Sequence, residues 1–111
     1  MTSRILLVIA CFPVLAAGAE STHTFSASVS PGGMHEECMK LARDETRRYE
    51  WASDAPVDFN IHYHEGNEVF YPVKRDGAKK GKDTFKAKIA QDYCWMWTAK
   101  TAAKIEGKLE K

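Results

Sequence analysis

The sequence predicts an all-β fold, an antiparallel sandwich of about seven to eight strands held by one disulfide. Three observations predict it. Residues 57–64 alternate strictly, with Val57, Phe59, Ile61 and Tyr63 apolar and Asp58, Asn60, His62 and His64 polar; this is the period of a strand with one face in a core. Turn chemistry recurs at intervals of about 8–12 residues, which suits a sandwich or barrel. Beyond residue 19 the chain keeps two cysteines, Cys38 and Cys94. An even count in an exported chain points to a bridge, and two cysteines allow one connectivity.

Export is read from the N-terminus. Arg4 precedes an uncharged apolar run over residues 5–17, and Ala17-Gly18-Ala19 follows. That order matches a secretory signal peptide with cleavage before Glu20. The run is shorter than the ~20 residues that a transmembrane helix needs. No second apolar stretch follows, so no stable membrane insertion is expected after processing, and the expected location is secreted or periplasmic.

Residues 20–34 are rich in Ser, Thr and Gly and end in Pro31-Gly32-Gly33, so they are expected to be a flexible lead-in to a single domain over residues 35–111. Residues 35–51 carry two signals. Helix formers are abundant, and Cys38, Leu41, Ala42 and Tyr49 approximate a helical stripe. Against this, Arg47, Tyr49 and Trp51 alternate with Thr46, Arg48 and Glu50, and residues 42–45 suit a turn. The strand-turn-strand reading is preferred.

The alternating strand at 57–64 is followed by Glu65-Gly66-Asn67, which has turn chemistry. A second strand then begins at Glu68, with Val69, Tyr71 and Val73 expected on one face. Phe85, Ala87 and Ile89 alternate with Thr84, Lys86 and Lys88 in another strand. Residues 93–98 read Tyr-Cys-Trp-Met-Trp-Thr, apolar on both faces, as expected for a central strand. Ala103, Ile105 and Leu109 alternate with charged residues in a last strand.

The order Glu37-Cys38-Met39, Tyr49-Glu50-Trp51, Val57-Asp58-Phe59-Asn60-Ile61, Phe85 and Tyr93-Cys94-Trp95-Met96-Trp97 resembles the Golgi-dynamics (GOLD) domain of emp-type lumenal cargo receptors, over about residues 36–109. The resemblance implies a GOLD-like or jelly-roll-like sandwich that binds a ligand, with an early cysteine bridged to a late one. The chain departs from that pattern at Gln91-Asp92, where a Gly usually precedes the late Tyr. The late Cys also follows the Tyr by one residue, where the family has three.

One constellation has chemical content. His62 and His64, at i and i+2, project from one strand face, and Glu68 lies past the turn. Imidazole nitrogen with carboxylate oxygen suits a divalent transition metal, and His-x-His-x3-Glu also resembles the first cupin motif. The second cupin motif is absent, and no His occurs beyond His64.

The chain has no Gly-rich phosphate loop, nucleophile elbow or H-E-x-x-H. Sixteen bases against fifteen acids exclude a nucleic-acid binder that works by bulk charge. The expectation is therefore a non-catalytic binding module without a cofactor. Its ligand surface would comprise Asn60, His62 and His64 with Trp95 and Trp97, and its partner would be a protein, peptide, carbohydrate or lipid. The alternative is a small cupin-like metal-binding protein using His62, His64 and Glu68.

Overall fold

The computed structural model describes residues 21–111, so the signal peptide read at residues 1–19 and its cleavage point lie outside the described residues. Six antiparallel strands follow in order: β1 (Thr22–Val29), β2 (Met34–Leu41), β3 (Thr46–Glu65), β4 (Glu68–Lys86), β5 (Gln91–Thr98) and β6 (Ala103–Glu110). The count is below seven to eight because β3 and β4 are long enough to serve both halves of the fold. One half runs β1, β6, residues 46–53 of β3 and 80–86 of β4. The other runs β2, β5, residues 57–65 of β3 and 68–78 of β4.

The hairpin bends where its register shifts, between Ala52 and Val57. Pro56 has no N–H for the ladder, and such residues are confined to edges and irregularities. Ser53 Oγ donates to Ala55 O at 2.6 Å, and Asp54 Oδ1 accepts from Lys104 N at 2.8 Å, tying the bend to β6. On β4, Gly77 takes φ +65° and its N–H donates to Asp58 Oδ1 at 2.9 Å. Bends of this kind let one strand pass from one packed layer to the other.

The inner faces meet through aromatic rings. Trp51 in the first half packs on Phe59 and Trp97 in the second, at 5.2 and 6.0 Å between centroids. Tyr49 and Phe85 both reach Trp95. Across the first half, Phe25, Gly107, Trp51 and Gly81 form one row. A Cβ at Gly81 would collide with the Trp51 indole, and one at Gly107 with the Phe25 ring. Large and small residues therefore alternate across that row, and interior density leaves no slack.

Strand-turn-strand holds over residues 34–51. The β2–β3 turn is fixed by Glu45, whose N–H reaches Ala42 O and whose carboxylate accepts from Ala42 N. That backbone hydrogen bond, with Arg47 nearby, holds the Glu45 carboxyl below its ordinary value.

Three expectations need correction. Residues 22–29 are a strand paired with β6 along its whole length, not a loose lead-in. Phe25, Ala27 and Val29 alternate with small polar residues, and that composition disguises a half-buried edge. Ile89 falls beyond the end of β4 and is exposed. Val69, Tyr71 and Val73 do not share a face. Ile61 pairs with Val73 but Tyr63 pairs with Phe70, so Tyr71 and Pro72 together oppose His62 in a bulge.

Candidate functional site

The outer face of the second half is built around His62. Strand alternation points Phe59 and Ile61 inward, with 1% and 0% exposure, and turns Asn60 and His62 outward. Outward here does not mean solvated: His62 is 3% exposed. Its ring meets His64 edge-on at 5.3 Å and lies under Tyr71 at 5.8 Å. Pro72 cannot donate to the ladder, and the bulge it occupies re-aims Tyr71 over the histidine. On its other side His62 pairs with Cys94, which pairs with Cys38. These two cysteines form the disulfide, with 56 residues of sequence separation.

Hydrogen bonding orients the imidazole. Nδ1 donates to Asn60 Oδ1 at 2.7 Å, which leaves the lone pair on Nε2. Nε2 faces Glu36 Oε1 at 3.8 Å. Burial pushes the His62 imidazole below its ordinary value. The Glu36 carboxylate pulls it back up and His64 adds to the depression. Desolvation dominates, so His62 is neutral at pH 7.

The histidine alternation was legible in the sequence, but its surroundings differ from the expected set. Asn60, His62 and His64 come together. Trp95 and Trp97 do not join them: at 0% and 1% exposure they lie on the inner face, in the core. Glu68 pairs with Glu65, while Val69 pairs with His64. Directly opposed residues point the same way, so Glu68 shares the face of Glu65 and Tyr63, not that of the histidines. Glu36 and Tyr71 are the members that sequence reasoning missed. Glu36 comes close only through β2–β5 pairing, which no local pattern encodes. Pro72 inside an alternating run was the available signal for the bulge that places Tyr71.

A groove of about 640 Å³ opens beside this face, at the end of the β3–β4 hairpin. Tyr63 stacks on Phe70 at 5.2 Å and meets Tyr93 edge-on at 5.4 Å, and Phe85 meets Tyr93 at 5.0 Å. Tyr93 Oη donates to Ile89 O at 2.8 Å, holding the β4–β5 loop as the far wall. Burial raises the Tyr93 phenol above its ordinary value, so it stays a neutral donor. Val69, Phe70, Tyr71 and Ile89 are exposed at this end of the molecule. Lys86 and Lys88 line the groove, and Lys74 Nζ sits 5.8 Å from the Tyr71 ring centre. No acidic side chain lines it.

A third cluster closes the seam between edge strands β1 and β2. The two Glu37 oxygens each meet one imidazole, His23 Nε2 and His35 Nε2, both at 2.9 Å. Phe25 stacks on His35 at 5.6 Å and packs on Trp97 at 4.8 Å behind them.

No family model matches the sequence, and no curated protein matches it. Among solved structures the chain is similar to the Yersinia pseudotuberculosis-derived mitogen, with 11% identity over 82% of this chain and 86% of that one and a TM-score of 0.52. It is also similar to the pre-peptidase C-terminal domain of collagenase from Bacillus anthracis, with 11% identity over 78% and 86% and a TM-score of 0.59. At such identity the likeness shows the fold alone. That fold is all-β and sandwich-like, without singling out a GOLD domain. The disulfide suits a non-cytosolic setting. Among the described residues, no helix is long and apolar enough to cross a membrane.

Proposed function

We propose that the chain is an exported, non-catalytic binding module, secreted or periplasmic, whose ligand surface is the end of the β3–β4 hairpin. There His64 and Tyr71 meet the aromatic groove, and Asn60 and His62 support them from beneath. The ligand is an amphiphile with an apolar acyl or aromatic body and an anionic group. The observation that carries this reading is the groove itself: an apolar floor of Tyr63, Phe70, Val73, Phe85 and Tyr93, with Lys86 and Lys88 beside it and no acid in its lining. Pockets for small ligands combine an apolar lining with few polar groups, and exposed apolar patches on a small domain mark contact sites.

Other observations support the same class. The two structural neighbours are a mitogen and a C-terminal domain of a collagenase, and a sandwich-like fold of that kind suits a binding module. The bridge between an early strand and a late one supports a GOLD-like relationship, and the leader-like residues 1–19 support export.

The test uses anilinonaphthalene sulfonate, an aromatic body with one anionic group. Saturable fluorescence enhancement with one site per chain is expected. Phe70→Ser with Ile89→Ser, at positions 36% and 38% exposed, weakens binding at least about tenfold, or ~1.4 kcal/mol, in protein whose far-ultraviolet dichroism and cooperative melting show that it is folded. Lys86→Glu with Lys88→Glu weakens the sulfonate probe but not an uncharged naphthalene. Binding that ignores all four substitutions overturns the reading.

A further inference from the structure

On the outer face beside His62, four metal-ligating side chains converge from three adjacent strands. Glu36 and Cys38 come from β2, Cys94 from β5 and His62 from β3, and Cys38, Cys94 and His62 form one row of directly paired residues. One oxygen of Glu36 lies 3.8 Å from His62 Nε2, and the other lies 3.8 Å from Cys38 Sγ. The ligand atoms of Glu36, Cys38 and Cys94 all lie within 4.8 Å of one another, the sole such trio among the described residues. We infer that reduction of the Cys38–Cys94 bridge converts this face into a tetrahedral site for zinc or another thiophilic ion, with two thiolates, the His62 imidazole and the Glu36 carboxylate as ligands.

The arrangement brings the four side chains near the spacing such an ion needs. Zinc bonds of about 2.3 Å to sulfur and about 2.0–2.2 Å to nitrogen and oxygen set neighbouring ligands of a tetrahedron roughly 3.4–3.8 Å apart. Glu36 stands at that spacing from His62 through one oxygen and from Cys38 through the other. His62 lies outside the 4.8 Å trio, so its ring and the carboxylate must close in on the ion by a rotamer adjustment. The tautomer is set as well: Asn60 Oδ1 accepts the Nδ1 proton at 2.7 Å, so the Nε2 lone pair points into the site. A second hydrogen bond of this kind is the usual support of a ligating histidine. Only the sulfurs are in the wrong state. While bonded to each other they are not thiolates, and thiolate is the ligating form.

The chemistry balances with a dithiol as reductant. The dithiol gives up two electrons and two protons and becomes a disulfide. The Cys38–Cys94 bond breaks and two thiols form. One divalent ion then displaces both thiol protons and binds the two sulfurs. Cys38 is exposed and Cys94 half-buried, so a reductant reaches the bond from solvent.

Co2+ is the probe, because its spectrum reports both tetrahedral geometry and sulfur ligation. Protein reduced with a phosphine is expected to bind one equivalent, with intense visible d–d bands and a thiolate-to-cobalt charge-transfer band. Oxidised protein is expected to show neither. Glu36→Gln, a change at an exposed position, is expected to weaken binding by at least about tenfold and keep the charge-transfer band; His62→Gln is expected to do the same. If reduction alone unfolds the chain, one equivalent of Co2+ is expected to restore the near-ultraviolet dichroism of the buried tryptophans. A reduced, folded protein that takes no Co2+ overturns the inference. So does a cobalt complex without the sulfur band, a Glu36→Gln variant that binds as tightly as the parent, or a reduced, unfolded chain that Co2+ leaves unfolded. Sulfonate-probe binding by the oxidised protein reads the groove separately, so the two proposals fail independently.

Discussion

The two outer faces of the sandwich obey the same alternation and have opposite chemistry. On the first half, Arg48, Glu50, Lys108 and Glu110 form a charged lattice. Lys108 Nζ lies 3.9 Å from Glu50 and 3.2 Å from Glu110, and Arg48 lies 3.1 Å from Glu110. Water reaches these groups. On the second half, the corresponding positions hold a disulfide, a buried histidine and an asparagine committed to it. Period two in a sequence identifies which side chains leave the core. It does not say whether water meets them, because that depends on neighbours supplied by other strands.

If the second face is a built site and the first a solvated one, the same kinds of change should differ in cost. The largest effect belongs to the bridge. Replacing Cys38 and Cys94 by Ala releases a long loop in the unfolded chain, and the chain-entropy estimate is about 4 kcal/mol. Urea denaturation of the double variant should show that loss, and a loss under ~1 kcal/mol would put the second face on a par with the first.

The glycine row in the first half provides an inner-face control. Gly81→Ala drives a Cβ into the Trp51 indole, and overpacking of this kind costs roughly 1–3 kcal/mol. The damage should be visible in tryptophan fluorescence and leave sulfonate-probe binding unchanged. Gly81→Ala as stable as the parent would mean that the Trp51 ring has room to shift.

Acid separates the faces next. The folded protein holds His62 below its ordinary value, chiefly by burial. The unfolded chain titrates it near ~6.5. Above that pH both states are neutral at His62, and its contribution to stability is complete. As pH falls below ~6.5, the unfolded chain takes up a proton that the folded chain refuses, so stability falls until the folded value is passed. His62→Gln should flatten this part of the stability profile of the oxidised, metal-free protein between about pH 7.5 and 5. Glu36 and His64, the ionisable neighbours of the ring, remain in the variant. An unchanged slope would show that His62 is as wet as Glu50.

The core of the fold was legible because it is written locally. Phe59, Ile61, Ile105 and Leu109 sit where period two puts them, buried to 2% exposure or less, and one cysteine pairing was available. Three features were not legible, each for a physical reason. β1 pairs with a strand at the far end of the chain, and its Ser and Thr positions read as linker. The bends at residues 53–56 and around Gly77 turn one hairpin into parts of two layers, which hides the strand count. In the candidate site, His62 and His64 were visible as a pair. Their partners Glu36 and Tyr71 arrive through β2–β5–β3 register and through a bulge at Pro72, and neither has a local pattern. Trp95 and Trp97 belong to the core and not to the expected ligand surface, because their spacing from Tyr93 puts all three on one inner face.

The smallest effect is expected on the first outer face, and it is the most exacting test of the contrast. Glu50 and Lys108 are opposed in the β3–β6 ladder, with their charges 3.9 Å apart and both side chains about half exposed (49% and 47%). Exposed pairs of this sort contribute about 0–1 kcal/mol, since water screens the charges and ordering two long side chains costs entropy. Lys108 is also shared with Glu110 at 3.2 Å, so losing Glu50 leaves it a partner. Glu50→Gln should therefore change stability by less than ~0.5 kcal/mol, and the change should shrink further in 1 M salt, where the screening length is about 3 Å. The matching substitution across the molecule is Asn60→Ala. It removes the acceptor of a buried Nδ1–H, and an unsatisfied buried donor costs about 1–3 kcal/mol that salt does not screen. Urea midpoints for the two variants at low and high salt decide the matter. Equal, salt-sensitive losses would erase the distinction between the faces. A small loss that salt removes, beside a larger one that it does not, is the result expected if one face is only solvated and the other is built.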